Sequence, residues 1–211
     1  MKKLLFWIVL IVGTGALLGS CAKKDGDTAA TTSASSTTAS GSITVGSETL
    51  SGVYVSTCNT SAFAAAAGIS IFPADIKSGK SVMVVTSGTT FSDELLMYTD
   101  TSCSTPSATI KNERDNVTVG SASGTYYQVT YNEASFKVTA HTAVAQDNLT
   151  AALIGNISDI DLTTLGQEFS TTGNSQSNMN LWSVTSTTFQ QGEESTSTQP
   201  TAMDSMVMTK E

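Results

Sequence analysis

Alternation of apolar and polar residues dominates the chain, and helical spacing is rare. Residues 50–57 (LSGVYVST) place Val53 and Val55 on one face and Gly52 and Tyr54 on the other. Residues 81–86 (SVMVVT) form a β-branched apolar run, and Ser87-Gly88 can turn it into 91–98, so these two segments are expected to form a hairpin. Residues 124–131 (GTYYQVTY) and 135–141 (SFKVTAH) flank Asn132-Glu133-Ala134, which reads as a short turn. Residues 178–184 and 187–190 make a further pair. Residues 203–209 (MDSMVMT) close the chain, with Met206 and Met208 on one face and Val207 on the other. About eight strands with hairpin-scale connections predict an all-β, antiparallel barrel or sandwich.

Three segments carry helical signals. Residues 61–67 (SAFAAAA) are followed by Gly68, residues 148–154 have Asn148 as a candidate N-cap, and residues 161–169 place Leu162, Leu165 and Phe169 on one face after Asp161. They read as short insertions between strands.

The N-terminus has a different pattern. Lys2 and Lys3 precede an apolar run over residues 4–18, and Leu18-Gly19-Ser20-Cys21 follows. A basic start, a short apolar stretch and small residues before a cleavage point form a secretory signal. The run of about 15 residues is shorter than the roughly 20 that span a bilayer. A Cys after the cleavage point makes this a lipoprotein signal, so residues 1–20 are expected to be removed and Cys21 to carry lipid. Two or three acyl chains anchor stably where one binds marginally. Ala22, rather than Asp, follows the Cys, which is the outer-membrane address in envelopes with two membranes. The expected location is the bacterial cell envelope, with the membrane reached through the lipid anchor.

Residues 25–42 are nearly all Ser, Thr, Ala, Gly and Asp, a composition that cannot bury enough apolar surface to offset its ordering. Residues 21–42 are therefore read as lipidated Cys and flexible tether, and 43–211 as a single domain, long enough for a sizeable core. The formal charge of −8 becomes −10 without Lys2 and Lys3, with no basic cluster beyond Lys23-Lys24. Nucleic acid is thus not an expected partner, since phosphate backbones need clustered cations. Once Cys21 is lipidated, Cys58 and Cys103 remain as an even pair in an oxidising compartment, and a disulfide between them is expected.

Gly52-Val53-Tyr54-Val55-Ser56-Thr57-Cys58, followed by Tyr98-Thr99-Asp100-Thr101-Ser102-Cys103, resembles small exported bacterial lipoproteins with a lipocalin-like (calycin-type) β-barrel. In that family a Gly-x-aromatic first strand ends in a Cys, and a second Cys follows an aromatic strand. The stretch from Lys137 to Leu153 is similar to their middle region, where a strand runs into a short helix. Lipocalins carry Trp where this chain has Tyr54, and a late Arg that packs across it; the one Arg here, Arg114, lies mid-chain. The resemblance implies a roughly eight-stranded barrel and a small hydrophobic ligand at its mouth.

Signals for other chemistry are weaker. Residues 74–81 (ADIKSGKS) loosely match a phosphate-binding loop, but such a loop needs a helix after it, and a strand-like run follows. His141, the single histidine, has no Gly-x-Ser-x-Gly elbow to serve. Asp147, Asp159 and Asp161 lack the Gly and distal Glu of a calcium loop. Asp93 and Glu94 are adjacent, so on a strand they face opposite sides; all these acids read as solvated surface. No catalytic residue, metal ligand or cofactor is expected. The candidate barrel-lining set is Tyr54, Met83, Phe91, Met97, Tyr126, Phe136, Trp182, Phe189, Met206 and Met208. If these side chains line a cavity, the protein is a non-enzymatic carrier. If they fill the barrel, it is a structural or interaction lipoprotein with an envelope protein partner.

Overall fold

The expected hairpin over residues 81–98 forms as β4 (Ser78–Val85) and β5 (Phe91–Tyr98), paired without a break from Ser78 with Tyr98 to Val85 with Phe91. It belongs to a computed structural model that describes residues 35–211, apart from positions 158 and 174. Cys21, the expected signal peptide and the tether up to residue 34 lie outside the described residues. Before the hairpin come β1 (Ile43–Val45), β2 (Glu48–Leu50), β3 (Val53–Ser56) and helix α1 (Ser61–Ala66). After it come β6 (Pro106–Ser123), β7 (Tyr126–Ala140), helix α2 (Ala143–Leu153), β8 (Glu168–Thr172), β9 (Ser177–Val184), β10 (Thr188–Gly192) and β11 (Met203–Lys210).

Strands β3, β4, β5, β6, β7, β9, β10 and β11 pair antiparallel in chain order. β11 then returns to β3, Met208 against Ser56 and Lys210 against Tyr54, closing an eight-stranded up-and-down barrel without free edges. β8 is a ninth strand outside this circuit. It pairs with β7 over Ser135 to Thr139, while β9 takes the same edge of β7 over Tyr127 to Asn132.

Four expectations need correction. Asn132-Glu133-Ala134 is not a turn, because β7 runs straight through it. Glu113 pairs with Ser135 and Arg114 with Glu133, which leaves Ala134 as the extra residue of a bulge. The bulge shifts the alternation by one, so Tyr131 and Glu133 before it and Phe136 and Val138 after it all face the interior. The true turn is at Gly124, in the left-handed region (φ 65°). The second correction is β6, an 18-residue strand where none was expected, because the polar run from Lys111 to Asn116 breaks its alternation. Third, α2 starts at Ala143 rather than Asn148. Thr142 is its cap, its Oγ1 accepting from Ala145 N at 3.1 Å, while Asn148 Oδ1 accepts from Ala74 N at 2.7 Å. Fourth, residues 161–169 form no helix. Asp161 Oδ1 accepts from the backbone and hydroxyl of Thr163 in a local turn, and the segment's end becomes β8.

The interior is filled in two apolar zones. One contains Tyr54, Met83, Phe91, Val129, Trp182 and Phe189, and the β1–β2 hairpin stoppers its mouth with Ile43, Val45 and Leu50. The other contains Met97, Ile110, Phe136 and Val138, capped by Phe63 of α1, Ile71 and Phe72 of the loop after it, and Leu149 and Leu153 of α2. Outside the wall, Val82, Val84 and Leu96 are covered by Ala39. Residues 35–42, expected to belong to the tether, are thus a strap on the barrel. Ser35 and Thr37 both donate to Glu94 Oε1, at 2.7 and 2.6 Å, and Ser40 N donates to Val85 O.

Cys58, just past β3, is bonded to Cys103 in the β5–β6 turn, with Sγ atoms 2.15 Å apart. Asp100 shapes that turn, accepting from the backbone N–H groups of Ser102, Ser104 and Thr105. These bonds, led by the one from Thr105, hold its carboxyl below the usual range. The bridge closes a loop over β4 and is worth on the order of 4 kcal/mol in the chain-entropy model. The double change Cys58→Ser with Cys103→Ser is therefore expected to lower the unfolding free energy by about 2–4 kcal/mol. Urea titration checks this, and an unchanged midpoint would contradict it.

Candidate functional site

The barrel-lining set divides by depth. Tyr54, Met83, Phe91, Trp182, Phe189 and Met208 lie buried in the zone behind the β1–β2 stopper, and Met97 and Phe136 lie in the capped zone. Tyr126, at the outer end of the β6–β7 hairpin, and Met206 are half-buried and belong to neither. The rings interlock edge to face. Phe91 meets Tyr131 at 5.1 Å and Trp182 at 5.2 Å between centroids, and Trp182 meets Phe189 at 5.3 Å. Such contacts are the favoured aromatic geometry. Trp182 Nε1 is buried with no hydrogen-bond partner, a cost of about 1–3 kcal/mol that this packing offsets.

Between the two apolar zones lies a charged layer that the sequence reading did not anticipate. On β5, Asp93 sits between Phe91 of one zone and Leu95 of the other. Arg114 of β6, with 6% of its side chain accessible, lies 3.5 Å from Asp93 and 3.2 Å from Glu194 of the β10–β11 connection. Its guanidinium also stands 5.4 Å from the ring centroid of Tyr131. Tyr131 Oη donates to Glu194 Oε2 at 2.8 Å and accepts from Asn180 Nδ2 at 3.3 Å, and Asn180 Oδ1 accepts from Gly192 N. Glu133 is buried and adds a third carboxylate whose charge acts on the guanidinium.

Burial dominates the protonation of this layer. It pushes Asp93 up to about 7, with Glu194 adding to the rise and Arg114 opposing it. Burial also raises Glu133, against the pull of Arg114. For Arg114 itself burial works against the charge, but Glu194, Tyr131 and Asp93 outweigh it and hold the guanidinium protonated. With all three acids ionised the layer would carry two uncompensated negative charges, so it retains protons near neutrality. Asp93 still has 21% of its side chain accessible, so water reaches the layer.

Asp93 and Glu94 do face opposite sides, but neither is solvated surface. Asp93 points inward, while Glu94 is buried beneath the strap, accepting from Ser35, Thr37 and Ser92. A sequence signal for Asp93 existed: it shares the alternation of Phe91, Leu95 and Met97. Arg114 had none, because β6 itself was not recognised.

The remaining candidates are not brought together. His141 is half-buried just past β7, its Nε2 3.1 Å from Thr109 Oγ1, and burial lowers its pKa, leaving the ring neutral at pH 7. Residues 74–81 lead straight into β4, so no helix end follows to cradle phosphate. Asp147 and Asp159 are exposed, and Asp161 is engaged by Thr163. Among the described residues no group of three His, Cys, Asp or Glu side chains is placed to hold a metal ion.

These features define a closed, internally packed all-β barrel with a charged layer at its middle. Compared with known proteins, the chain matches no family model and no curated protein.

The raised Asp93 has a consequence for stability. The folded barrel holds this proton up to about pH 7, whereas the unfolded chain releases it near 3.8. The folded form therefore binds more protons between those values, and the stabilisation present below pH 4 is lost as pH rises through 7, by at most about 4 kcal/mol. In Asp93→Asn the decline between pH 4 and pH 8 should be clearly shallower than in the wild type. Urea midpoints across that range check this, and parallel profiles would contradict it.

Proposed function

We propose that this protein is a non-enzymatic, lipid-tethered lipoprotein of the bacterial envelope, placed in the outer membrane, whose filled barrel acts through its outer surface on an envelope partner. The observation that carries this reading is the interior. The β1–β2 hairpin stoppers one mouth, α1 and α2 cap the other, and interlocked aromatic rings and a charged layer occupy the space between. A small hydrophobic ligand, the occupant that the lipocalin resemblance implies, would have to displace a stopper or the rings. It would also lie against ionised groups, which apolar ligands do not compensate. The packed barrel therefore favours surface action over carriage.

The anchoring part rests on the Leu18-Gly19-Ser20-Cys21 signal. The Cys58–Cys103 bridge supports export, because such bonds persist in oxidising compartments. Two features support the kinship to lipocalin-like lipoproteins. The strands follow one another round the barrel in chain order, and Lys210 of the last strand places Nζ 5.9 Å from the ring centroid of Tyr54 in the first. That puts a late cation over the first-strand aromatic, as the late Arg of lipocalins does.

Native mass spectrometry of the intact chain, extracted in detergent from the envelope, tests the reading. The expected result is a mass accounted for by the chain and its covalent lipid, unchanged after incubation with envelope lipid extract. A non-covalent adduct of a few hundred daltons, within the range of ligands that pockets enclose and lost on denaturation, would overturn surface action and restore the carrier.

A further inference from the structure

Among the described residues, exposed large apolar side chains concentrate at one end of the barrel. Ile69 (48% exposed), Val144 (42%), Ile154 (67%) and Leu165 (48%) all belong to the segments that build the cap, and only Val207 lies elsewhere. An open groove of about 410 Å³ runs between the turn at Gly68–Phe72 and α2, floored by Phe72, Ala151 and Ala152. Val144 stands on the helix face that lines this groove, because positions 144, 148 and 151 follow helical spacing. Neighbouring side chains on these segments, Asp147, Asp159 and Asp161, are acidic and exposed.

The strap gives this end a direction. Ser40 is bonded to Val85, beside the stoppered mouth, whereas Thr37 and Ser35 are bonded to Glu94. Glu94 lies three residues along β5 from Phe91, the partner of Val85, which is about 10 Å nearer the cap. Followed toward its N-terminus, the chain thus runs along the wall toward the capped end. From Ser35 only about 14 residues remain to Cys21, a reach of at most about 50 Å even fully extended.

We propose that the capped end faces the bilayer to which the chain is tethered, and that Ile69, Val144, Ile154 and Leu165 enter its interfacial region. This proposal rests on the reading of Cys21 as the lipid anchor. Apolar side chains of this kind settle about 5–10 Å into the boundary between headgroups and acyl chains. The acidic rim fits zwitterionic headgroups and opposes anionic ones. The stoppered mouth, with β1 and β2, then points away from the membrane and is the end presented to other envelope components.

The test uses the full lipidated chain in vesicles of phosphatidylcholine and phosphatidylethanolamine with brominated acyl chains. Tryptophan is introduced singly by Ile69→Trp, Ile154→Trp and Val207→Trp, all at exposed positions. The wild-type emission, which includes the buried Trp182, gives the baseline and reports folding. The expected result is roughly twofold stronger quenching of the first two reporters than of the third, from burial in the interfacial region. Equal quenching at all three positions would overturn the proposal. Intact mass on the same samples reports lipid at Cys21 separately. Lipid with three equal signals would keep the anchor and reject the face. Selective quenching without lipid would keep the face and reject the anchor. Equal signals without lipid would reject both.

Discussion

A guanidinium enclosed in an apolar barrel must be neutralised, and much of this architecture follows from that requirement. Removing a cation from water costs several kcal/mol unless anions and hydrogen bonds replace the water. Arg114 draws its anions from separate parts of the chain: Asp93 from β5, Glu133 from β7 and Glu194 from the β10–β11 connection. The two ion pairs tie β5 and the β10–β11 connection to β6, and Glu133 of β7 acts on the guanidinium through its charge. They also explain the bulge at Ala134, without which Tyr131 and Glu133 could not share the interior with Phe136 and Val138.

Burial, with the neighbouring Glu194 charge adding to it, keeps Asp93 protonated up to about pH 7. The charged layer lies between the two apolar zones. Each is then closed from its own end, one by a strand hairpin and the other by two helices. The barrel is a stack of stopper, aromatic zone, charged layer, second apolar zone and cap, rather than a container. The strap and the disulfide act from outside this stack. The strap covers an apolar stretch of the outer wall, over Val82, Val84 and Leu96, and the disulfide fixes the end of β3 to the β5–β6 turn.

Much of this was legible in the sequence where an element buries one face and exposes the other. β3, β5, β9, β10 and β11 were read from alternation and β4 from its continuous β-branched run, buried on both faces. The Cys58–Cys103 pairing followed from counting thiols. β6 and β8 were missed because the polar run Lys111 to Asn116 interrupts the alternation of β6 and β8 is short with no buried residue. The split of β7 into two strands had a related cause: a bulge reverses the alternation and places polar residues mid-strand, which imitates a turn. The charged layer was hidden for a deeper reason. Asp93 and Arg114 look like surface residues in one dimension, and only closure of the barrel brings them together with Glu194, some 80–100 positions away in the chain.

The tethered-barrel account of function joins this rigid stack to a lipid anchor and gives its two ends different roles, one toward the bilayer and one away from it. Its physical centre remains the neutralised guanidinium. The most direct test is equilibrium unfolding of Arg114→Met at pH 5 and pH 8. Without the cation, the carboxyl groups of half-buried Asp93 and Glu194 and of buried Glu133 must face one another. The account predicts a far larger loss of stability at pH 8, where Asp93 is ionised, than at pH 5, where it stays protonated. An equal loss at both pH values, or none, would contradict it.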